Sequence, residues 1–220
     1  MPAFNPSYVG PREDILRLVP GEARRVLDVG CSVGVLGEPI KQRQAATVVG
    51  VELDPEMAAE AEPRLDQTVV GSVEEPPVWE AIAGQSFDCL IFADLLEHLR
   101  DPWTVLQRFV DQLEPGGTAI ASLPNVRHYT TLLTLGLGGN WPNRDRGIHD
   151  RTHLRFFALR NVRELFESAG LEVQEVRRNY RIIERPHRLN RFARGLGIPG
   201  LREFFAFQYL VRGVKPNVAR

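Results

Sequence analysis

Val26-Leu27-Asp28-Val29-Gly30-Cys31-Ser32-Val33-Gly34-Val35-Leu36 is the stretch that decides the fold. An apolar run contains an acid near its end, a glycine-containing turn follows, and a second apolar run begins at helical spacing. This order is typical of a buried parallel strand that leads through a tight turn into a helix. Because glycine lacks Cβ, the backbone can turn sharply there and approach a ligand closely. The spacing is G-x-S-x-G, whereas dinucleotide-binding folds use G-x-G-x-x-G, so a nicotinamide oxidoreductase is the least favoured interpretation.

Size and composition predict one globular domain, residues 1–220, with 43% apolar and 25% charged residues. No apolar run approaches the roughly 18 residues needed to span a membrane. The first residues have neither the basic nor the apolar region of an export signal. Cys31 and Cys89 stand in separate apolar contexts and suggest neither a disulfide framework nor a zinc site. We expect a cytoplasmic protein.

The net charge of -1 hides a strong asymmetry. Residues 1–140 contain 10 Lys/Arg and 20 Asp/Glu, whereas residues 141–220 contain 17 and 8. The positive part indicates an anionic partner, or arginines that solvate helices and pair with the acidic part. Nucleic acid is the less favoured partner, because no RNA-binding module is recognised and the sequence pI is near 6.5.

Five predicted strands alternate with helices, at residues 25–29, 46–51, 67–70, 87–92 and 118–123. Alternation of this kind predicts an α/β fold with a doubly wound, mostly parallel sheet. Beyond residue 126 the pattern predicts a helix at 128–138, a polar loop at 139–150, a strand-like patch at 153–157, a helix at 161–168, a strand at 171–176, a basic helix at 186–196 and a last strand at 204–214. Segments 126–158 and 185–204 are predicted substrate-side elaborations.

Polar residues that could bind a ligand or take part in a reaction follow each predicted strand. Carboxyl ends of parallel strands meet at one edge of a sheet, so a single ligand could contact all of them. An acid after the second strand suits the vicinal hydroxyls of a ribose, and the N–H groups of the turn suit a carboxylate or phosphate. These residues are Asp28 and Gly30–Gly34, then Glu52, Ser72, the run Asp94–His98, and finally Asn125 and His128.

These motifs resemble those of the class I S-adenosylmethionine-dependent methyltransferases. Residues 26–34 resemble the first motif of that family, whose usual form has glycine where this chain has Ser32. Glu52 matches its ribose-binding acid, and Ser72 lies where an Asp often contacts the adenine amine. Residues 87–98 and 113–117 resemble the fourth and fifth motifs. Residues 147–157 and 165–170 resemble a bacterial branch associated with saccharide and secondary-metabolite modification.

The resemblance implies a seven-stranded Rossmann-like sheet with an antiparallel last strand, and S-adenosylmethionine as cofactor. It implies methyl transfer, which we expect to reach a hydroxyl of a small molecule such as a sugar or natural product. There are two alternatives. One is a nucleic-acid methyltransferase. The other is a non-catalytic cofactor-binding protein, in which Ser32 and Ser72 would be signs of evolutionary drift from the usual family residues. The implied cofactor-binding residues are Tyr8, Asp28, Gly30, Cys31, Ser32, Gly34, Val35, Leu36, Glu52, Leu53, Ser72, Val73, Asp94 and Leu95.

A hydroxyl acceptor needs a base that titrates near neutrality. His98 is the first candidate and His128, on the loop after the fifth strand, is the second. Asp94, Glu97 and His98 share one face if this segment is helical. Their spacing resembles an acid-x-x-Glu-His arrangement that holds a divalent metal in some methyltransferases, so Mg²⁺ is an alternative there. Glu97 and His98 could equally stabilise the helix alone.

Two basic or polar clusters lie in the elaborations. Residues His149, Asp150, His153 and Arg155 predict either a lid whose Arg155 or Arg151 binds an anionic group of the acceptor, or a buried network. Four arginines interleaved with apolar residues predict either a surface for a lipid-linked or membrane-adjacent substrate, or a core-facing helix with a solvated basic face. These are Arg188, Arg191, Arg194 and Arg202.

Overall fold

The computed structural model describes residue 10 and residues 12–183 and 187–217, without the side chains of residues 194 and 196. Seven strands form one sheet in the order β3-β2-β1-β4-β5-β7-β6. Only β7 runs antiparallel to both of its neighbours. The strands are β1 (Arg25–Val29), β2 (Thr47–Glu52), β3 (Gln67–Val70), β4 (Phe87–Ala93), β5 (Leu113–Pro124), β6 (Glu172–Tyr180) and β7 (Ala206–Val214). The prediction of a seven-stranded sheet with an antiparallel last strand is confirmed.

Helices cover both faces of this sheet. They are α1 (Glu13–Leu16), α2 (Gly37–Arg43), α3 (Pro55–Ala61), α4 (Pro76–Ala81), α5 (Pro102–Asp111), α6 (Tyr129–Thr131), α7 (Leu159–Ser168) and α8 (Arg202–Phe205). Short 3₁₀ helices span Leu96–His98 and Arg188–Leu196, and a π-helix spans Leu132–Leu137.

Alternate residues of the central strands pack into two different core layers. In β4, Leu90 and Phe92 join the layer that contains Phe109 of α5 and Phe166 of α7. Their neighbour Ile91 joins the layer beneath α1, α2 and α3. This period of two is the one that the pleated strand imposes, and it buries both faces of the sheet.

The strand order reverses between β1 and β4, since β2 and β3 lie on one side and β5 to β7 on the other. In doubly wound sheets the ligand crevice lies at the carboxyl ends of the strands at such a reversal. The turn after β1 and the loop after β4 therefore face the same crevice, which is where the sequence places its polar residues.

The strand-like patch predicted at 153–157 is not a strand. Only Phe157 makes a bridge, to Asn125 at the end of β5. The N–H groups of Leu154 and Arg155 donate instead to the carbonyl of Glu97, at 2.8 and 3.0 Å. The segment is therefore fixed to the loop after β4, and it brings residues 149–155 to the crevice.

The basic helix predicted at 186–196 is a 3₁₀ helix at Arg188–Leu196, and residue 186 lies outside the described residues. The core-facing alternative is wrong for most of its apolar residues, because Leu189, Phe192 and Leu201 are 46%, 56% and 50% exposed. Among the side chains of 188–196 that the structure describes, only Ala193 is buried. Within the described residues, no helix is both long enough and apolar enough to cross a bilayer.

Candidate active site

The turn after β1 has a left-handed backbone at three alternate residues. Gly30, Ser32 and Gly34 have φ values of 78°, 51° and 75°. The N–H groups of Gly30 and Cys31 donate to the carbonyl of Val51, which fixes the turn to β2. A Cβ on Gly30 would lie 3.2 Å from Leu95, so the glycine lets the β4 loop close over the turn.

Glu52 closes the other side of this turn. Its carboxylate accepts the N–H of Ser32 at 2.8 Å and the N–H of Asp54 at 3.0 Å. Asp54 in turn caps α3 by accepting the N–H groups of Glu56 and Met57. The predicted ribose-binding acid is thus held by backbone donors at the crevice, with capacity left on each oxygen to accept a hydroxyl.

Asp28 lies beneath the turn with only 2% of its surface exposed. Burial and, next, the nearby charge of Glu52 raise its pKa from 3.8 to about 7, against the opposing effect of Arg12. A positively charged ligand group beside Asp28 would favour its ionised form. The cofactor that the sequence resemblance implies, S-adenosylmethionine, carries such a charge on its methionine ammonium.

Asp94 connects the end of β4 to three other elements. Its backbone is left-handed, with φ 53°. Its carboxylate accepts from the Ser122 hydroxyl on β5 at 2.9 Å, from Gln208 on β7 and from Arg12 before α1. Sequence reasoning missed Arg12, Ser122 and Gln208 as members of the site. Serine in the buried strand β5 was the one local signal, since a buried hydroxyl needs a partner.

Ser72 and Val73 follow β3 as expected. The Ser72 hydroxyl accepts the N–H of Glu74 at 3.2 Å, and Val73 is buried. Leu53 is 68% exposed next to the acid of β2, while Leu36 packs in the core. Val35 is half-buried. Tyr8, the remaining predicted cofactor contact, lies outside the described residues.

His98 is oriented by a hydrogen-bond chain that the sequence did not reveal. Its Nδ1 lies 3.0 Å from the Thr152 hydroxyl, which donates to Asp150 at 2.7 Å. The Thr152 hydroxyl donates its proton to Asp150, so it can only accept a hydrogen bond from Nδ1–H of His98. In the neutral imidazole the lone pair is then on Nε2. Burial lowers the pKa of His98, which the charge of Asp150 partly offsets.

Glu97 does not share a face with Asp94, because Leu96–His98 is a single 3₁₀ turn entered through the left-handed Asp94. Its side chain is 1% exposed and lies 4.0 Å from Nε2 of His153. Neither carboxylate oxygen has a hydrogen-bond partner among the residues that the structure describes. Burial therefore raises the pKa of Glu97 well above its ordinary value.

The expected Mg²⁺ ligand set of Asp94, Glu97 and His98 is not formed. Glu97, His98 and His153 instead place one potential ligand atom each within 4.8 Å of one another. Two imidazoles and one carboxylate suit zinc or iron better than Mg²⁺, which prefers oxygen ligands. The structure gives no support to a magnesium site.

His128, the second predicted base, is buried at the start of α6. Its Nδ1 lies 2.8 Å from the Thr130 hydroxyl and its Nε2 lies 2.9 Å from the carbonyl of Arg181. Both ring nitrogens are engaged inside the protein, which suits a structural role better than proton transfer. His98 is therefore the better candidate for the general base.

The predicted anion-binding lid arginines contact protein groups. Arg155 donates to the carbonyl of Arg100 at 2.9 Å and lies over the ring of Trp103. Arg151 forms an ion pair with Asp145. His149 and Asp150 are buried whereas Arg151 and Arg155 are exposed, so the predicted buried network is formed only in part, with the addition of Thr152.

Comparison with known proteins identifies the class to which this fold and site belong. Residues 8–176 match a family model described as a methyltransferase domain. The chain therefore belongs to the class I S-adenosylmethionine-dependent methyltransferases.

Two named relatives and one solved structure are similar to this chain. A ubiquinone biosynthesis O-methyltransferase of Cereibacter sphaeroides is 31% identical over 163 residues, covering 72% of this chain and 64% of that protein. The chain thus spans less than two thirds of that relative. Its namesake in Paracidovorax citrulli is 30% identical over 175 residues, covering 74% and 73%. An S-adenosylmethionine-dependent methyltransferase structure from Archaeoglobus fulgidus shares the fold, with a TM-score of 0.65, 17% identity and coverage of 95% and 96%.

Proposed function

We propose that this chain transfers a methyl group from S-adenosylmethionine to a hydroxyl of a small molecule, with His98 as the general base. Family membership supports the cofactor. Relatives named as O-methyltransferases, at about 30% identity, support a hydroxyl acceptor. The observation that carries the proposal is the Asp150–Thr152–His98 chain at the carboxyl end of β4, which directs the lone pair of the histidine to Nε2.

The cofactor supplies an electrophilic methyl on a sulfonium, so the protein has to align the reactants and accept one proton. Nε2 of His98 would accept the proton of the acceptor's hydroxyl, whose oxygen would take the methyl that the cofactor supplies. Asp150 then stabilises the imidazolium through Thr152, as a carboxylate does in other oriented histidine bases. Glu52 and the turn 30–34 hold the ribose and the methionine part in place.

Radiolabelled methyl transfer to a panel of catechols, simple phenols and monosaccharides tests the proposal. We expect methylation of at least one hydroxyl acceptor, and His98→Ala should lower kcat by about 10²- to 10⁴-fold while the affinity for S-adenosylhomocysteine stays unchanged. Gln107→Ala, which replaces an exposed polar side chain on α5, is the control. Wild-type turnover of His98→Ala, or methylation of amines alone, would refute the proposal. Tight cofactor binding without turnover would indicate the non-catalytic alternative.

The pH dependence of kcat separates a base from a merely structural histidine. Because the pKa of His98 is lowered, the rate should rise with pH through a midpoint below 6.5 and then reach a plateau. Thr152→Val breaks the link to Asp150 and should lower kcat more than it raises KM. An unchanged profile in Thr152→Val would remove Thr152 and Asp150 from the mechanism.

Treatment with EDTA distinguishes the base from a metal. If His98 acts as a base, the purified enzyme should keep its activity after EDTA treatment and dialysis. His153→Gln, which removes one of the three potential ligands, should then change kcat by less than about tenfold. Loss of activity that Mg²⁺, Mn²⁺ or Zn²⁺ restores would replace the base by a metal-assisted step.

A further inference from the structure

Two segments whose sequences contain no acids expose apolar side chains, and Glu203, directly after the second of them in the chain, pairs with Arg202. From residue 187 to 202 the sequence contains four arginines and no Asp or Glu. Leu189, Phe192, Ile198 and Leu201 of this segment are 46%, 56%, 54% and 50% exposed. Exposed apolar residues clustered in this way are uncommon on a surface that meets only water.

The π-helix presents a second set of exposed apolar residues. Leu132, Leu133, Leu135 and Leu137 are 46%, 49%, 50% and 82% exposed. Residues 127 to 140 contain one arginine and no acid. This segment therefore has the same chemistry as the basic segment, although it is less charged.

Both segments contact the backbone just after β6, at residues 182 and 183. Tyr129, three residues before the π-helix, donates its hydroxyl to the carbonyl of Ile182 and packs on Phe205 of α8 with ring centroids 5.6 Å apart. The side-chain oxygen of Asn190 accepts the N–H groups of Ile182 and Ile183, at 3.0 and 2.9 Å. The π-helix and the basic segment therefore extend from a common base on the β6–β7 side of the sheet.

A cleft with basic walls adjoins this base. It has a volume of about 490 Å³ and is lined by Arg178, Asn179, Tyr180, Arg181, Asn190 and Arg191. Arg178 is paired with Glu203, and Arg181 stacks on Phe207 at 4.3 Å. The remaining basic lining belongs to Arg191, which also belongs to the exposed segment, so the cleft and the apolar surface are continuous.

We propose that residues 132–137 and 188–202 form a docking surface for a membrane that contains anionic lipids. Leucine and phenylalanine side chains would enter the boundary between headgroups and acyl chains, while Arg188 and Arg191 contact lipid phosphates. A symmetric contact with a second copy would place this acid-free, arginine-rich segment against itself, which charge repulsion disfavours. The proposal does not rest on the identity of the methyl acceptor.

Flotation with lipid vesicles tests this surface. The full chain should bind vesicles of 3:1 phosphatidylcholine and phosphatidylglycerol, should not bind phosphatidylcholine alone, and should be released by salt. Leu189→Ser/Phe192→Ser, and separately Arg188→Glu/Arg191→Glu, should each weaken binding by at least about tenfold. Leu137→Ser should weaken it by a smaller factor.

Matched controls come from distant exposed residues. Val70→Ser removes an equally exposed apolar side chain from β3 at the opposite edge of the sheet, and Arg160→Glu/Arg163→Glu reverses two charges on α7. Both should bind vesicles like the wild type. Circular dichroism and S-adenosylhomocysteine calorimetry verify that each variant is folded.

Three outcomes would overturn the proposal. The first is equal binding to neutral and anionic vesicles, or binding to neither. The second is a loss of binding in the control variants as large as in the surface variants. The third is a stable dimer in sedimentation equilibrium that Leu189→Ser/Phe192→Ser dissociates, which would assign the surface to a second copy of the chain.

Discussion

Glu52 shows how much one side chain contributes at this site. Its carboxylate accepts two backbone N–H groups of the crevice, and the family resemblance assigns the ribose to it. We expect Glu52→Ala to weaken S-adenosylhomocysteine binding by about 10- to 100-fold, since hydrogen bonds to charged groups contribute about 1.5–3 kcal/mol. Isothermal calorimetry measures this change. Glu56→Ala, an exposed carboxylate on α3, should bind normally, and an unaltered dissociation constant in Glu52→Ala would remove Glu52 from the site.

Ser32 occupies a left-handed turn position at which the family usually has glycine. A non-glycine residue there has a backbone cost of about 1–2 kcal/mol. Ser32→Gly should therefore raise the free energy of unfolding by about 0.5–1 kcal/mol, because the greater freedom of glycine in the unfolded chain offsets part of the gain. Urea denaturation measures the difference. A destabilised Ser32→Gly would show that the serine hydroxyl contributes to the turn more than its strain costs.

Single residues of the crevice were predictable where the local pattern identifies them. Gly30, Gly34 and Glu52 stand in recognisable positions after strands, so their placement followed from the sequence. The link from Asp150 through Thr152 to His98 did not, because the contact of Thr152 with His98 joins residues 54 positions apart and depends on how residues 149–155 meet the carbonyl of Glu97. No periodicity records a contact of that kind.

At the scale of elements, the strands were easier to predict than the segments between them. Continuous apolar runs predicted β1 to β5, since both faces of a parallel strand are buried. The loop after β4 does not form the helix on which Asp94, Glu97 and His98 would share a face, because Asp94 adopts a left-handed backbone before a single 3₁₀ turn. An acid-x-x-Glu-His spacing aligns side chains only if the helix exists.

Asn125 connects the end of β5 to α8 and β7. It is fully buried at the end of β5 and donates to the carbonyls of Glu203 in α8 and Ala206 in β7, both at 2.7 Å. Asn125→Ala would leave these carbonyls without that donor, so we expect it to destabilise the fold by about 2–4 kcal/mol. Urea denaturation tests this expectation against Asn140→Ala, an exposed asparagine. A loss below about 0.5 kcal/mol would show that the three elements are held together by other contacts.

At the scale of the whole molecule, the charge asymmetry and the apolar pattern indicated an unusual C-terminal part without deciding its role. An amphipathic pattern is the same whether the apolar face meets the core or a partner, and the sequence therefore allowed both. In the structure Phe166 of α7 and Leu171 pack in the core on one face of β6 and β7, whereas Phe192 and Leu201 stay exposed. Whether an amphipathic segment packs against the core depends on which other elements already cover it, and this is known only from the complete fold.

The stability of the whole molecule should depend on Asp28 in the centre of the sheet. Its pKa is about 7 in the folded protein and near 3.8 when exposed, so between these values the folded state keeps a proton that the unfolded state loses. The stabilising contribution is complete below pH 3.8 and is lost as the pH rises through 7. At pH 8 the loss amounts to at most about 4 kcal/mol.

Asp28→Asn removes that titration. We expect the difference in unfolding free energy between the variant and the wild type to shift in favour of the variant from pH 5 to pH 8, as measured by urea denaturation without cofactor. Glu80→Gln, which replaces an exposed carboxylate on α4, should show no such trend. A difference that stays constant with pH would mean that Asp28 is ionised throughout, with its charge balanced by Arg12.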